Sequence, residues 1–265
     1  MFAINFHLQK PAHSKGEIIA HLLRACFCNF LLLGVVFFFA SEITAQKRYS
    51  KSYPASKNVN VKLINRTGSI TIEGWNKEEV KILADMETPS TNIQPQNQSG
   101  TIIINVVKDN QGRNDVGYVN FLIKVPYSSS INIETMIGNL TVSNVGGVLV
   151  RAHISSEGEI TLTNIGAANV SAENVIGDIF FDGEIAANGI YRFSSTRGNI
   201  NVRIPTDASF NLVATAPSSR NISVGKFPNM NLNFSDLRRV YGKVGDGSAS
   251  ITITNQRGSI SLFGR

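Results

Sequence analysis

The residues of this chain that could do chemistry are few, and they stand at fixed intervals. Glu159 and Asp178 each follow a glycine, at 158 and 177, and Asn139 and Asn199 follow glycines at 138 and 198 in the same way. If the segments carrying these glycines stack in register, the four polar residues form one column. Glu159 and Asp178 are then neighbours, with Asp182 and Glu184 close by, and such oxygens suit a Ca2+ ion or a pair of carboxylates acting on a glycoside. The competing reading is local, because polar residues at turns commonly hydrogen-bond the adjacent backbone. His153 lies near Ser155, Ser156 and Glu157. A nucleophilic triad needs a base oriented by a third group in space, and this histidine reads more simply as an exposed strand or loop residue. Trp75, the sole tryptophan, follows Gly74 at a turn, where it could stack on a sugar ring or pack over the end of a sheet. Tyr118, Tyr191 and Phe193 read as core or ladder residues. Arg192, Arg197 and Arg203, with Arg151, could line one side as a basic stripe for lipopolysaccharide or another polyanion, or be ordinary solvated positions.

What would position these residues is a repeat. Gly-Asn-Leu-Thr-Val begins at 138, Gly-Glu-Ile-Thr-Leu at 158, Gly-Asp-Ile-Phe-Phe at 177 and Gly-Asn-Ile-Asn-Val at 198, giving steps of 20, 19 and 21 residues. A period near 20, with β-branched alternation after each glycine and no helical pattern between, predicts the coil of a β-solenoid. Glycine supplies the positive φ of a sharp corner. The apolar residues that follow at alternate positions point inward and stack on their equivalents about 4.8 Å away in the next coil. Half-phrases at Gly147, Ala168 and Gly189 predict a second strand in each coil.

The rest of the chain is organised around that ladder. Alternation over 59–64, 69–73, 80–84, 101–107 and 118–125 predicts strands, with polar loops between. The fold class is therefore all-β, a single-chain β-solenoid with a β-rich N-terminal cap region. The expected divisions are a tether over 46–58, the β-rich region over 59–126, and the solenoid over 127–265 with a loop insertion near 226–241. Residues 1–45 carry Lys10, Lys15 and Arg24 ahead of an apolar run around Phe30 to Ala40, then Ser41, Glu42 and Ala45. Basic flank, apolar core and small-residue exit describe a secretory signal peptide cut after Ala45, or an anchor if it stays uncut.

Cys26, Cys28, His7, His13 and His21 all fall in that leader. The exported chain then has neither a disulfide nor a cysteine metal site, and no cofactor is expected. Net charge falls from +6 to +5, since three basic and two acidic residues leave with the leader. That is a mild bias towards anionic polymers or head groups. Basic and aromatic residues are not interleaved densely enough for nucleic acid. Membrane contact is expected only through an uncleaved leader.

The phrases Thr67-Gly-Ser-Ile-Thr-Ile-Glu-Gly-Trp-Asn-Lys-Glu-Glu-Val80, Lys124-Val-Pro126, the glycine ladder, Ile204-Pro205 with Asp207, and 242–262 resemble a bacterial family of uncharacterised β-strand-repeat envelope proteins. It is usually labelled "putative adhesin" and is similar to autotransporter head domains. The resemblance covers 59–262 and implies a solenoid and an envelope address, with no catalytic residues to carry over. The expected function is that of a non-enzymatic, exported envelope protein whose flat faces bind a surface polysaccharide or another envelope protein. Its address is the periplasm, the cell surface or the medium. The alternatives are a periplasmic structural or sensing module and a carbohydrate-active β-helix enzyme. Open solenoid ends could also pair two chains, and the sequence leaves the oligomeric state open.

Overall fold

Alternation of apolar and polar residues resolves into strands of two sheets, numbered here in chain order. The structure is a computed structural model that describes residues 46 to 265, apart from 90, 112, 114, 115 and 237; the expected leader, 1–45, lies outside the described residues. Ala45–Arg265 is one compact unit. Sheet A runs β1 (Lys47–Pro54), β4 (Glu79–Met86), β7 (Val119–Pro126), β3 (Ile70–Trp75), β9 (Leu140–Val145), β11 (Ile160–Ile165), β13 (Ile179–Gly183), β15 (Ile200–Ile204), β21 (Ile260–Gly264) and β17 (Ile222–Val224). Sheet B runs β18 (Met230–Ser235), β19 (Arg239–Val244), β16 (Phe210–Thr215), β20 (Ala249–Arg257), β14 (Ile190–Arg197), β12 (Asn169–Ile176), β10 (Leu149–Glu157), β8 (Ser130–Ile137), β2 (Asn60–Ile64), β6 (Thr101–Asn105) and β5 (Gln96–Gln98). One turn of helix, α1 (Val106–Asp109), leads from β6 towards β7, and the Asn105 side chain caps it by accepting the Lys108 N–H.

Each coil places one strand in each sheet, so the chain is a two-sided β-solenoid. From β8 to β15 successive coils stack in chain order, strand on parallel strand. Register follows the repeat: Ile160 faces Leu140 on one side and Ile179 on the other. Ile70, Leu140, Ile160, Ile179, Ile200 and Ile260 make one buried column of sheet A. Val61, Ile131, Val150, Val170, Tyr191 and Ile251 make its counterpart in sheet B. One coil could not bury these side chains by itself, so stability comes from the stack. Phe181 of sheet A packs on Phe193 and Tyr191 of sheet B, with ring centroids 5.0 and 6.1 Å apart. The Tyr191 hydroxyl accepts the Ala186 N–H at 2.8 Å and donates to the Ala167 carbonyl at 3.3 Å. Tyr191 and Phe193 are thus core residues, but Tyr118 is 54% exposed. Its neighbour Val119 faces inward, and strand parity turns Tyr118 out.

At both ends, stacking order departs from chain order. The coil β2–β3 lies between β6–β7 and β8–β9, because β4 to β7 make an excursion and return on the outer side. The coil β20–β21 lies between β14–β15 and β16–β17 in the same manner. Three expected boundaries therefore move. The solenoid starts at β2, not after residue 127; its first phrase, at Gly68, is separated from Gly138 by the excursion, which hides the period. The expected tether contains β1, which pairs antiparallel with β4 along its length. The expected loop insertion near 226–241 contains β18 and much of β19, an antiparallel pair extending sheet B.

Candidate binding surface

One corner of the coil runs the length of the stack and organises the outer surface. Gly68, Gly138, Gly158, Gly177, Gly198 and Gly258 succeed one another there, with φ between +123° and +150°. A Cβ on any of the last five would overlap the carbonyl oxygen of the glycine before it in the stack. Glycine is needed twice over, for the angle and for the approach.

Polar residues on either side of the glycine satisfy the corner backbone. Three residues earlier stand Asn65, Thr135, Asn174, Ser195 and Asn255, all buried. Asn174 Nδ2 donates to the Gly158 carbonyl at 2.6 Å, and Asn255 Nδ2 to that of Gly198 at 2.8 Å. Asn65 Nδ2 donates to the Val119 carbonyl at 3.0 Å. Sequence reasoning missed this column, although an Asn, Ser or Thr three places before each corner glycine was its signal.

Immediately after the glycine comes the column that contains Glu159 and Asp178. They occupy adjacent coils, as the spacing predicts. Asn139 Oδ1 accepts the Glu159 N–H at 3.0 Å, and Asp178 Oδ1 accepts the Asn199 N–H at 2.7 Å. Asn199 Oδ1 accepts in turn from Ser259 N at 3.1 Å. At Asn139, Asp178 and Asn199 the column caps the backbone of the following coil. Asp182 and Glu184 do not join it, because they lie at the far end of β13. Asp182 Oδ2 instead accepts from Arg203 Nη2 at 2.6 Å, Arg265 Nε lies 3.4 Å from Asp182 Oδ1, and Arg265 Nη2 pairs with Glu184 Oε1. That hydrogen bond to Asp182, and its charge, push the Arg203 guanidinium still higher than its usual range. Among the described residues, no three His, Cys, Asp or Glu side chains gather to hold a metal ion.

The remaining sites fall in different places. Trp75 ends β3; its indole N–H donates to the Glu79 carbonyl at 2.9 Å, with Lys77 and Lys124 ammonium groups 5.0 and 6.0 Å from the ring centroid. His153 faces outward on β10 between Glu134 and Glu173, with Nδ1 3.4 Å from Glu173 Oε2. Ser155 and Ser156 fall in a bulge of that strand. A groove of about 320 Å3 among β1, β4 and β7 contains an ion pair, Arg48 to Asp85 at 3.0 Å.

The expected arginine stripe is divided. Arg203 belongs to sheet A and Arg192 and Arg197 to sheet B, so their side chains leave opposite faces. Arg192 shares a column with Arg151, separated by Ser171. Arg197 stands in register with Arg257 of the next coil and with Ile176 of the one before. These last three belong to a ridge made by the two residues preceding each corner glycine. Along it come Arg66, then Met136 and Ile137, Ser156 and Glu157, Val175 and Ile176, then Arg197 and Arg257. The four aliphatic or thioether side chains are each 36–37% exposed. The ridge is apolar in its middle, interrupted by Glu157, and cationic at both ends.

The family model Toastrack DUF4097 matches residues 42–262. This chain belongs to the Toastrack DUF4097 family. The Toastrack chain is also similar to a solved "putative cell adhesion protein" of Clostridium sporogenes, at 15% identity and a TM-score of 0.46, over 83% of this chain and 100% of the other. A "putative adhesin" of Bacteroides fragilis is 10% identical, with a TM-score of 0.36, over 83% and 99%. A "putative lipid binding protein" of Parabacteroides distasonis is 13% identical, with a TM-score of 0.31, over 82% and 94%. No curated protein matches the chain. Among the described residues of this Toastrack protein, no helix is long and apolar enough to cross a membrane.

Proposed function

We propose that this Toastrack protein is a non-enzymatic, exported envelope protein that binds an anionic surface polymer in the manner of an adhesin. The observation that carries the reading is a division among its arginines. Arg48, Arg203 and Arg265 have carboxylate partners. Arg66, Arg192, Arg197 and Arg257 have none among the described residues, and all four are exposed. Three of those four stand on the glycine-corner ridge. Guanidinium groups repeated along a rigid stack meet a polymer at several points, so weak single contacts add through avidity.

Retention of the 46–265 unit on immobilised polygalacturonate, against neutral amylose, tests the reading. The unit is expected to be held on the anionic matrix and released by salt, as screening weakens exposed charges. Arg197→Glu with Arg257→Glu is expected to pass through unretained while keeping its circular dichroism spectrum. Equal retention on both matrices, or retention that the double variant keeps, would sink the proposal. Protease shaving of intact cells tests the address: release supports a surface adhesin, and protection until lysis moves the protein to a periplasmic structural or sensing role.

A further inference from the structure

Each sheet has two edges, and the four edges are not alike. β1 carries Lys47, Arg48 and Lys51 and ends at Pro54, residues that oppose pairing with another chain. β5 and β17 are three residues each, too short to template a partner. β18 is six residues, Met230-Asn-Leu-Asn-Phe-Ser, with neither charge nor proline. Among the described residues, only β19 pairs with it.

Two of the three apolar side chains of β18, Met230 and Phe234, lack a cover, while Leu232 between them is half-buried against the core. Met230 and Phe234 are in register with Val244 and Val240, which are buried, yet they are 37% and 55% exposed themselves. An overhang is the cause. β19 and β18 carry sheet B two strands beyond β16, whereas sheet A stops at β17, the partner of β16 in the last coil. Among the described residues, no strand of sheet A faces the inward side of β18.

We propose that β18 pairs antiparallel with β18 of a second copy, about a two-fold axis at Leu232. The occupant is a second copy because the strand is a palindrome of polarity about that residue. Under the two-fold axis Met230 lies opposite Phe234, Asn231 opposite Asn233, and Leu232 opposite itself. Apolar residues thus meet apolar residues on one face and asparagines meet asparagines on the other, as an isologous contact requires. The net charge of the chain, +6, opposes self-association at long range, but the pairing strand itself brings no like charges together. Pairing satisfies the free backbone groups of both edges and continues sheet B through the dimer. The inference goes beyond the polymer-binding reading, and it would set two ridges on one particle.

Sedimentation velocity of the 46–265 unit across a concentration series, beside the Phe234→Lys variant, tests the pairing. The expected result is a species of twice the chain mass that Phe234→Lys returns to one chain mass with unchanged circular dichroism. Because the unit contains no cysteine, Leu232→Cys adds an independent reading. Residues opposite each other in an antiparallel pair have Cα atoms about 4.5–5.5 Å apart, within disulfide reach, so air oxidation should give a covalent dimer. A single-chain mass at every concentration overturns the proposal. So does a dimer that Phe234→Lys leaves intact, or a Leu232→Cys dimer that oxidation fails to link.

Discussion

The middle coils, from β8 to β15, stack in the order in which the chain makes them, and the coils β2–β3 and β20–β21 towards either end of the stack do not. In the middle, the neighbour of each strand is about 20 residues away in sequence. At the ends, Ile70 sits between Phe121 and Leu140, and Ile260 between Ile200 and Ile222. The two terminal coils are therefore paired on both sides by strands the chain has laid down far away. Closing long loops costs little more than closing short ones, so the excursions are tolerable, and the terminal coils become keystones. The sharpest test compares two deletions of similar length. Removing 249–265 takes away β21, the strand that joins β17 to sheet A, and β20, the parallel partner of β16. The cooperative thermal transition is expected to be lost or split. Removing 158–176 joins Glu157 to Gly177 and keeps the phrase; that chain is expected to melt in one lower transition. If both shortened chains melt alike in calorimetry, the distinction between middle and ends is wrong.

Next in size are the corner glycines, which run through both regions. Gly177→Val meets a backbone angle of +127° and the Gly158 carbonyl, a loss expected to be about 2–4 kcal/mol by urea unfolding. Gly258→Val, in the C-terminal keystone, meets the same two obstacles at +148° and the Gly198 carbonyl, and should match it. Gly100→Val meets open space at φ +77° and should cost about 1 kcal/mol from the angle alone. A Gly177→Val loss no larger than that of Gly100→Val would show that the corner relaxes.

How much of this was legible follows from the same contrast. The phrases at Gly138, Gly158, Gly177 and Gly198 disclosed the coil, the inward columns and the pairing of Glu159 with Asp178 in one column. Gly68 and Gly258 carry the same phrase, but excursions separate them from their stacking neighbours, and a period cannot show an insertion between coils. Arg192 and Arg203 looked alike because both point outward; which sheet each leaves depends on which strand of its coil it occupies. The ridge was hidden for another reason. Met136, Ile137, Val175 and Ile176 look like core residues by composition, and only the corner geometry turns them out. The polar column inside the corner was readable and supplies a finer test. Asn255→Ala leaves the Gly198 and Ser259 carbonyls without their side-chain donor and should cost about 1–2 kcal/mol. Ser155→Ala changes the equivalent but exposed residue of a middle coil and should fall within about 0.5 kcal/mol of the parent. Equal losses at the two sites would mean that the buried donors are incidental.

The smallest expected effect concerns the ion pairs beside the C-terminal keystone. Arg265 follows β21 and reaches Asp182 and Glu184 of the β13 end, while Arg203 of β15 holds the other Asp182 oxygen. The Arg265 side chain is 37% exposed and that of Glu184 62%, so water screens both, and Arg265→Ala should cost only about 0.5–1 kcal/mol. In 1 M NaCl, where the Debye length is about 3 Å, the difference from the parent chain should nearly vanish. Strand pairing along β20 and β21, which salt does not weaken in this way, then accounts for nearly all that holds the coil in its slot. A loss above about 2 kcal/mol that salt leaves unchanged would point the other way. Asp182, whose side chain is only 8% exposed, would then be a buried charge that Arg203 alone does not compensate, and the clamp rather than the strand pairing would keep the last coil between its neighbours.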